Sequence, residues 1–369
     1  MMVAKITFCR LSALLSILAV LSCDPIVTQF DDTEDGQLYT AKRLQPPPAA
    51  VETIGVMTWN IRFGAGRTKW FGDSNGTRVI LPADEVYYHL EGIAALLKAA
   101  EPDILLLQEV DIQSKRSAYI DQVQWLLDHT HLNYGAYASV WKAQVIPSDG
   151  LGRMDMGIAV LSRWPITNAE RIKLPLRGDQ DGLTKYFYLR RSILKTRIAL
   201  PGLQEFYAVN VHTAAFSTDD TKKIQLDIFK DELDKLESRG IPFVAGGDLN
   251  SLPVNATKTD YCLSDKADDE SFHGPNDDPQ HKEGSYFTPE ITWMQALYDT
   301  YSPAVLLNDY GANESHYFTH TPLWDSPYDR KLDYLFTNRA WLAGSDSTYH
   351  VAAPWSDHAP VSALWEVPK

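Results

Sequence analysis

Short apolar runs rich in β-branched residues recur along the chain, separated by stretches in which apolar residues return every three to four positions. The runs predict strands at Ile54–Trp59, Asp103–Gln108, Gly157–Ser162, Ser192–Ile198, Phe206–Val211, Pro242–Ala245, Leu332–Thr337 and Val361–Val367. The helical period predicts helices over Asp84–Ala100, Ala118–Asp128 and Thr218–Ser238. The first sets Leu90, Ile93, Ala94 and Leu97 on one face and is closed by Pro102. Val123, Leu126 and Leu127 mark the second, and Ile224, Ile228, Leu233 and Leu236 the third. Ser217-Thr218-Asp219-Asp220 resembles a capping box with Asp in place of Glu, and Gly240 is a natural stop. Some strands follow one another with no helix between them. That pattern implies mixed α/β layers rather than a doubly wound sheet.

The N-terminus stands apart from this pattern. Lys5 and Arg10 precede an apolar run, Leu11 to Leu21, that is too short to cross a bilayer and suits a signal-peptide core. It ends in Val20-Leu21-Ser22-Cys23, which resembles a bacterial lipobox. Residues 1–22 are therefore expected to be a lipoprotein signal peptide, with Cys23 acylated at the mature N-terminus. The expected location is the cell envelope, anchored to a membrane; a plain secretory signal cut nearby is the alternative. Residues 23–50, acidic and then proline-rich, read as a flexible tether. Residues 51–369 show no composition break, repeat or linker and read as one domain. With Cys23 acylated and Cys9 removed, Cys262 is the remaining thiol, so no internal disulfide can form.

Charge narrows the function. Across 369 residues, 34 Lys and Arg face 48 Asp and Glu, a net charge of −14, and losing the signal makes the chain more acidic still. Broad, charge-driven binding to nucleic acid depends on neutralising many phosphates, so this balance disfavours it. Local contact with one phosphate stays open. Between Arg62 and Arg78 lie four basic residues and one acid around Trp70-Phe71; between Arg171 and Arg191 lie six basic residues and two acids around Tyr186-Phe187-Tyr188. These loops are expected to form cationic, aromatic walls that contact a base or a lipid headgroup. Asp260–Glu283, rich in acids, Gly and Pro, reads as a solvated insertion.

Polar residues with chemistry gather where the apolar runs end: Asn60, Gln108-Glu109, Asn210-Val211-His212, Gly247-Asp248-Leu249-Asn250 and Ser356-Asp357-His358. A rigid scaffold can converge such positions on one site. Carboxylates and amides offer oxygen donors, which suit Mg²⁺, and the set fits metal-assisted hydrolysis of phosphate esters. No cysteine cluster, His-Glu-x-x-His, Gly-x-x-x-x-Gly-Lys-Ser/Thr or Gly-x-Ser-x-Gly is present, which removes support for zinc, nucleotide-driven and serine-hydrolase chemistry.

In order along the chain, Thr58-Trp59-Asn60-Ile61-Arg62, Leu107-Gln108-Glu109-Val110-Asp111, Gly157–Ser162, Asn210-Val211-His212, Gly247-Asp248-Leu249-Asn250, Leu332–Phe336 and Ser356-Asp357-His358-Ala359-Pro360 resemble the endonuclease/exonuclease/phosphatase family. The resemblance covers residues 54 to 367. It implies a four-layer α/β/β/α sandwich with two mixed sheets and a site at one edge. It further implies Glu109 as principal Mg²⁺ ligand, with Mn²⁺ as a substitute, Asn60 beside it and Asp357 near the metal. Asp248 would orient or deprotonate the attacking water, and Asn250 would hold a phosphate oxygen. His358 would face the scissile phosphate with Asp333 orienting it. His212 matches the second histidine of the deoxyribonuclease I and neutral sphingomyelinase branch. Its acidic partner is open: Asp155 is near the right place, but strand alternation can put Met156 there instead. Arg191 is a phosphate-side candidate. The other histidines, His320 among them, read as surface or core residues.

The absence of a Cys-Asp-Arg segment at Lys331–Tyr334 disfavours inositol 5-phosphatases, and the presence of His212 disfavours exonuclease III-like enzymes. The expected activity is a phosphodiesterase, monomeric and membrane-anchored, acting on a phospholipid- or sphingomyelin-type or other small phosphodiester. A deoxyribonuclease I-like endonuclease, binding nucleic acid, is the alternative within enzymes; a catalytically inactive cell-surface binding protein is the alternative from another class.

Overall fold

The computed structural model describes residues 26–73, 76–217, 219–266, 281 and 284–368. Cys23, the signal segment and most of the acidic insertion lie outside the described residues. In chain order the strands are β1 (Thr33–Asp35), β2 (Gln37–Thr40), β3 (Thr53–Asn60), β4 (Ile104–Asp111), β5 (Tyr134–Ile146), β6 (Gly152–Ser162), β7 (Ile166–Lys173), β8 (Ser192–Ile198), β9 (Tyr207–His212), β10 (Phe243–Asp248), β11 (Ser302–Pro303), β12 (Asp333–Thr337), β13 (Ser347–Thr348) and β14 (Val361–Glu366). They form two mixed sheets of seven strands, ordered β1-β7-β8-β9-β10-β12-β11 and β13-β14-β3-β4-β6-β5-β2. β3 with β4 and β9 with β10 are parallel pairs at the centres of their sheets; the pairs flanking them are antiparallel.

Strand alternation explains the layers. Ile54, Val56, Ile104, Leu106, Ile158 and Val160 on one sheet meet Leu194, Ala208, Val244 and Leu335 on the other in a shared core. The opposite faces carry Met57, Trp59, Leu105 and Leu107 against helix α1 (Ala83–Ala100) and α2 (Gln122–His129). Beyond the short α3 (Gly182–Phe187), α4 (Thr221–Glu237) covers the outer face of the second sheet, packing on Val209, Val211, Phe243 and Ala245. The result is the expected α/β/β/α sandwich. Between its sheets, Gln108 Nε2 donates to Asn210 Oδ1 (2.7 Å), and Asn210 Nδ2 donates to the carbonyls of Leu107 and Ala159 (both 2.8 Å). This buried polar link fixes the central strands of the two sheets against each other, next to the residues that end them.

Two expectations change. The segment read as a flexible tether holds β1, which pairs with β7, and β2, which pairs with β5. Val27 bridges to Ala143, and Tyr39 and Ala41 enter the core beside α2. Both strands cap sheet edges, where one face stays wet, so their sequence carries little apolar signal. In α4 the buried stripe is Leu226, Phe229, Leu233 and Leu236, while Ile224 is exposed; the stripe is rotated from the predicted one. No helix among the described residues is long and apolar enough to cross a membrane.

Candidate active site

Strand register brings the site together. Asp248, ending β10, pairs with His212 at the end of β9 and with Asp333 at the start of β12. On the other sheet Asn60 pairs with Gln108, and the register shifts between Leu107 and Val110. Glu109 lies in that bulge with φ +53, which turns its carboxylate off the regular alternation. Gly247 before Asp248 has φ +141, and a Cβ there would lie 1.9 Å from the Val211 carbonyl oxygen. Only glycine lets β10 run this close to β9 at the site. Asn250 sits in the left-handed region at φ +46, a conformation asparagine tolerates.

Asp248 is the hub. Its Oδ2 accepts from Asn60 Nδ2 (3.1 Å) and lies 3.2 Å from His212 Nε2 and 3.7 Å from His358 Nε2. Its Oδ1 accepts from the backbone N–H of Asn250 (3.1 Å), whose side chain donates to the Thr213 carbonyl. His358 Nδ1 stands 2.8 Å from Asp333 Oδ2. Asn60 also donates to Glu109 Oε1 (3.3 Å). Of the two residues left open at that position, Asp155 points elsewhere, accepting from Tyr137 and Ser139, while Met156 lines the cleft. His212 is paired with Asp248 instead, and its Nδ1 is buried without a partner.

The two histidines are held in opposite states. Burial disfavours the charged form of His358, but the carboxylates of Asp333 and Asp248 outweigh it and push its pKa up to about 10. Burial and the neighbouring Arg191 hold His212 below its usual value, against the pull of Asp248. Asp248 itself would be raised by burial, yet His212 and His358 hold it far below the carboxylate range. Near neutral pH the site therefore offers an ionised Asp248, a neutral His212 and a His358 imidazolium. Because the folded pKa of His358 lies above the free value of ~6.5, the imidazolium contact is fully present below that value and is lost as pH rises through about 10. Asp333→Asn removes the largest stabiliser of the cation. The alkaline limb of the kcat profile should then move down toward neutrality, which a pH series from 5 to 10.5 would measure; an unmoved limb would detach it from His358.

These residues open into a cleft of about 640 Å³ that also presents Trp70, Phe71, Trp141, Leu189 and Phe216. Arg191 lines it as well, buried, with Nε and Nη1 unpartnered among the described residues, and it feels the charges of Glu109 and Asp248. An orphaned guanidinium facing a cleft suits an anionic ligand. The other basic residues named for the expected walls are engaged by the protein itself. Arg78 is clamped by Glu85, Arg67 donates to the Leu323 and Ala353 carbonyls, and Lys69 stacks on Trp324. Arg190 donates to carbonyls of Tyr186 and Tyr188, and Arg171 to those of Ser139 and Arg190. Local counts of basic residues could not show which of them had partners.

Arg62 lies between Asp73 and Asp357, bonded to Asp73 and 3.1 Å from Asp357 through Nε. Burial raises Asp73 to about 6 despite Arg62, with repulsion from Asp357 and Glu109 adding to the rise. Carboxylates thus outnumber their local cation around Arg62. Glu109, Asn60 and Asp357 supply oxygen donors there, a set that fits a hard divalent cation. Burial opposes ionisation of Glu109, yet its neighbours His212, Arg116 and Arg191 hold its pKa below the usual carboxylate value all the same. The base of the acidic insertion forms part of the cleft wall: Asp265 makes a bidentate pair with Arg330, and Tyr261 and Cys262 are buried beneath it. His320, read from sequence as an ordinary histidine, lines the cleft beside His358.

Residues 57–358 match the model of the endonuclease/exonuclease/phosphatase family. Among solved structures, the chain resembles an endonuclease/exonuclease/phosphatase from Beutenbergia cavernae DSM 12333, at 20% identity and TM-score 0.57, over 86% of this chain and 72% of that one. It also resembles an endonuclease/exonuclease/phosphatase family protein from Leptotrichia buccalis C-1013-b, at 13% identity and TM-score 0.50, over 84% and 98%. Comparison with curated proteins gave no match. At these identities the structural likenesses speak for the fold, and the family match, spanning most of the domain, speaks for kinship: the chain belongs to the endonuclease/exonuclease/phosphatase family, whose members are metal-dependent phosphoesterases.

Proposed function

We propose that the protein is a Mg²⁺-dependent phosphodiesterase acting on a phospholipid- or sphingomyelin-type or other small phosphodiester. The observation that carries this reading is Asp248, an ionised carboxylate shared by Asn60, His212 and His358 in a cleft that also presents aromatic side chains. An ionised acceptor there can orient a water and take its proton. The His358 imidazolium, held by Asp333, meets the phosphoryl group, and Arg191 and Asn250 hold its oxygens. Glu109, with Asn60 and Asp357 nearby, would hold the metal, which supplies charge stabilisation at the phosphoryl oxygens when bound. The aromatic side chains of the cleft and the acidic overall balance favour a small or lipid diester over a polymer.

One panel tests this: plasmid DNA, RNA, sphingomyelin, phosphatidylinositol and a chromogenic diester and monoester, each with Mg²⁺ or chelator. Chelator-sensitive turnover of the lipid or small diester is expected. Preference for plasmid DNA would replace the reading with the endonuclease one, and no turnover of any substrate would return the binding-protein alternative. Within the panel, Phe71→Ala and Trp70→Ala should each raise KM for the preferred substrate about tenfold, as loss of a contacting ring does. Unchanged turnover of every substrate would remove these rings from the substrate wall.

The proposal extends to position. Cys23 carries an N-terminal lipid that keeps a monomeric enzyme at a membrane of the cell envelope. Metabolic labelling with a radiolabelled fatty acid should mark the wild type and leave Cys23→Ala unmarked; a wild type free of label and released to the medium would identify a secreted enzyme.

A further inference from the structure

His320 has no structural task that accounts for its placement. Backbone bonds clamp it on two sides: its N–H donates to the Arg330 carbonyl (2.9 Å), and its carbonyl accepts from the Asp329 N–H (2.9 Å). Next to it, the Thr319 carbonyl accepts from the Ala359 N–H (2.6 Å), and the Thr321 N–H donates to the Asp357 carbonyl (3.3 Å). The segment is thereby wedged between the strand entering β12 and the one entering β14, and bridges to His358. The His320 ring lies against the His358 ring, centroids 4.3 Å apart and planes tilted by 38°. A nitrogen of each ring and an oxygen of Asp357 fall within 4.8 Å of one another, and both rings line the cleft.

The ring of His320 makes no hydrogen bond to the described residues, and its Nδ1 is buried without a partner among them. Leaving such a nitrogen unsatisfied is costly, and buried polar groups are nearly always paired. His358 cannot serve it, because its Nδ1 is committed to Asp333 and its Nε2 faces Asp248. The cleft, which the ring lines, is the side from which a ligand can reach it. An imidazole carries at least one N–H in either protonation state, and a phosphoryl oxygen is an acceptor only. We propose that His320 is a further substrate-contacting imidazole of the site, whose ring N–H binds a non-bridging phosphoryl oxygen beside His358. The inference rests on the phosphoesterase reading. It adds to the expected pair, His212 and His358, a group that hydrogen-bonds the same phosphate from a second direction.

Three variants separate this role from that of a spacer holding His358 in place. His320→Phe keeps a flat ring in the stack and removes both nitrogens. His320→Asn returns an amide nitrogen near the position of Nδ1, and His320→Gln returns one near Nε2. Each is assayed with the chromogenic diester in Mg²⁺, and inorganic phosphate binding is measured by calorimetry, which needs no turnover. The expected result for His320→Phe is kcat lowered by about 100-fold and phosphate bound at least tenfold more weakly, at unchanged melting temperature. Asn should recover more than Gln. The proposal is overturned if His320→Phe keeps kcat and phosphate affinity within twofold of wild type. It is equally overturned if all three variants lose activity together with melting temperature, which is the signature of a spacer. An inactive wild type that binds no phosphate would defeat the phosphoesterase reading itself, whereas an active wild type matched by His320→Phe removes His320 alone.

Discussion

Asp248→Asn should lower kcat for the preferred phosphodiester by about 10²- to 10⁴-fold, the range that removal of a positioned proton acceptor produces. The exchange is close to isosteric, so the loss isolates charge from shape. In the native protein one carboxylate accepts from Asn60 and from the Asn250 backbone and faces two imidazoles. An amide cannot take a proton from water, and it leaves His358 with Asp333 as its nearest counter-ion. With His212 held neutral and His358 held charged, Asp248 is the buried group of this cluster best kept as an ionised acceptor near pH 7. KM should change little, because the interaction lost is one made in the transition state. A variant that retains kcat within tenfold, with a normal melting temperature, would place water activation on another residue.

That hub was legible because the chain writes its site at the ends of apolar runs. Asn60, His212 and Asp248 each terminate a β-branched stretch, and strand pairing then makes Asp248 the neighbour of both His212 and Asp333. The eight strands expected from sequence all form, seven of them within three residues of the expected ends, because most carry a hydrophobic run; β6 begins five residues earlier than expected, at Gly152. The strands that were missed carry no such run. β5 mixes Gly, Ala and Ser with aromatic residues, β7 alternates Ile and Ala with polar residues, and β1 and β2 are short edge strands.

The site residues that escaped notice did so for related reasons. Which of Asp155 and Met156 faced the cleft depended on strand parity, and the pairing of β6 with β5 is interrupted by a register shift that no alternation rule counts through. His320 sits on no strand, only on isolated bridges, so nothing in its neighbourhood announced convergence with His358. Arg191 was visible as a basic residue, but its distinction from Arg190 lies in partners: Arg190 donates to nearby carbonyls, whereas Arg191 leaves two nitrogens unsatisfied in the cleft. Pairing of charges is a three-dimensional property, and the clamping of Arg78 by Glu85 shows how a count of cations can overstate a positive surface.

Glu109→Gln is expected to weaken Mg²⁺ binding by more than about 100-fold, and to lower kcat at fixed Mg²⁺ by a similar or larger factor. Loss of a group that merely supports a metal ligand costs about 10- to 100-fold, so loss of a charged ligand should exceed that. The carboxylate is placed for the role by its own backbone. The bulge at Gln108-Glu109 and the positive φ direct it away from regular alternation and into the cleft, and Asn60 donates to one of its oxygens. Its neighbours His212, Arg116 and Arg191 hold its pKa below the usual value despite burial, so a cation meets a charged oxygen and not a protonated acid. Glutamine preserves size and the left-handed backbone demand, while removing the charge. Calorimetric titration of Mg²⁺ into the wild type and the variant reads the affinity directly, and a Mg²⁺ series in the diester assay reads its consequence. Activity that returns at high Mg²⁺ would identify Glu109 as a ligand whose loss mass action can offset. Equal Mg²⁺ affinity in the two proteins would move the principal ligand to Asp357 or another carboxylate of the Arg62 cluster.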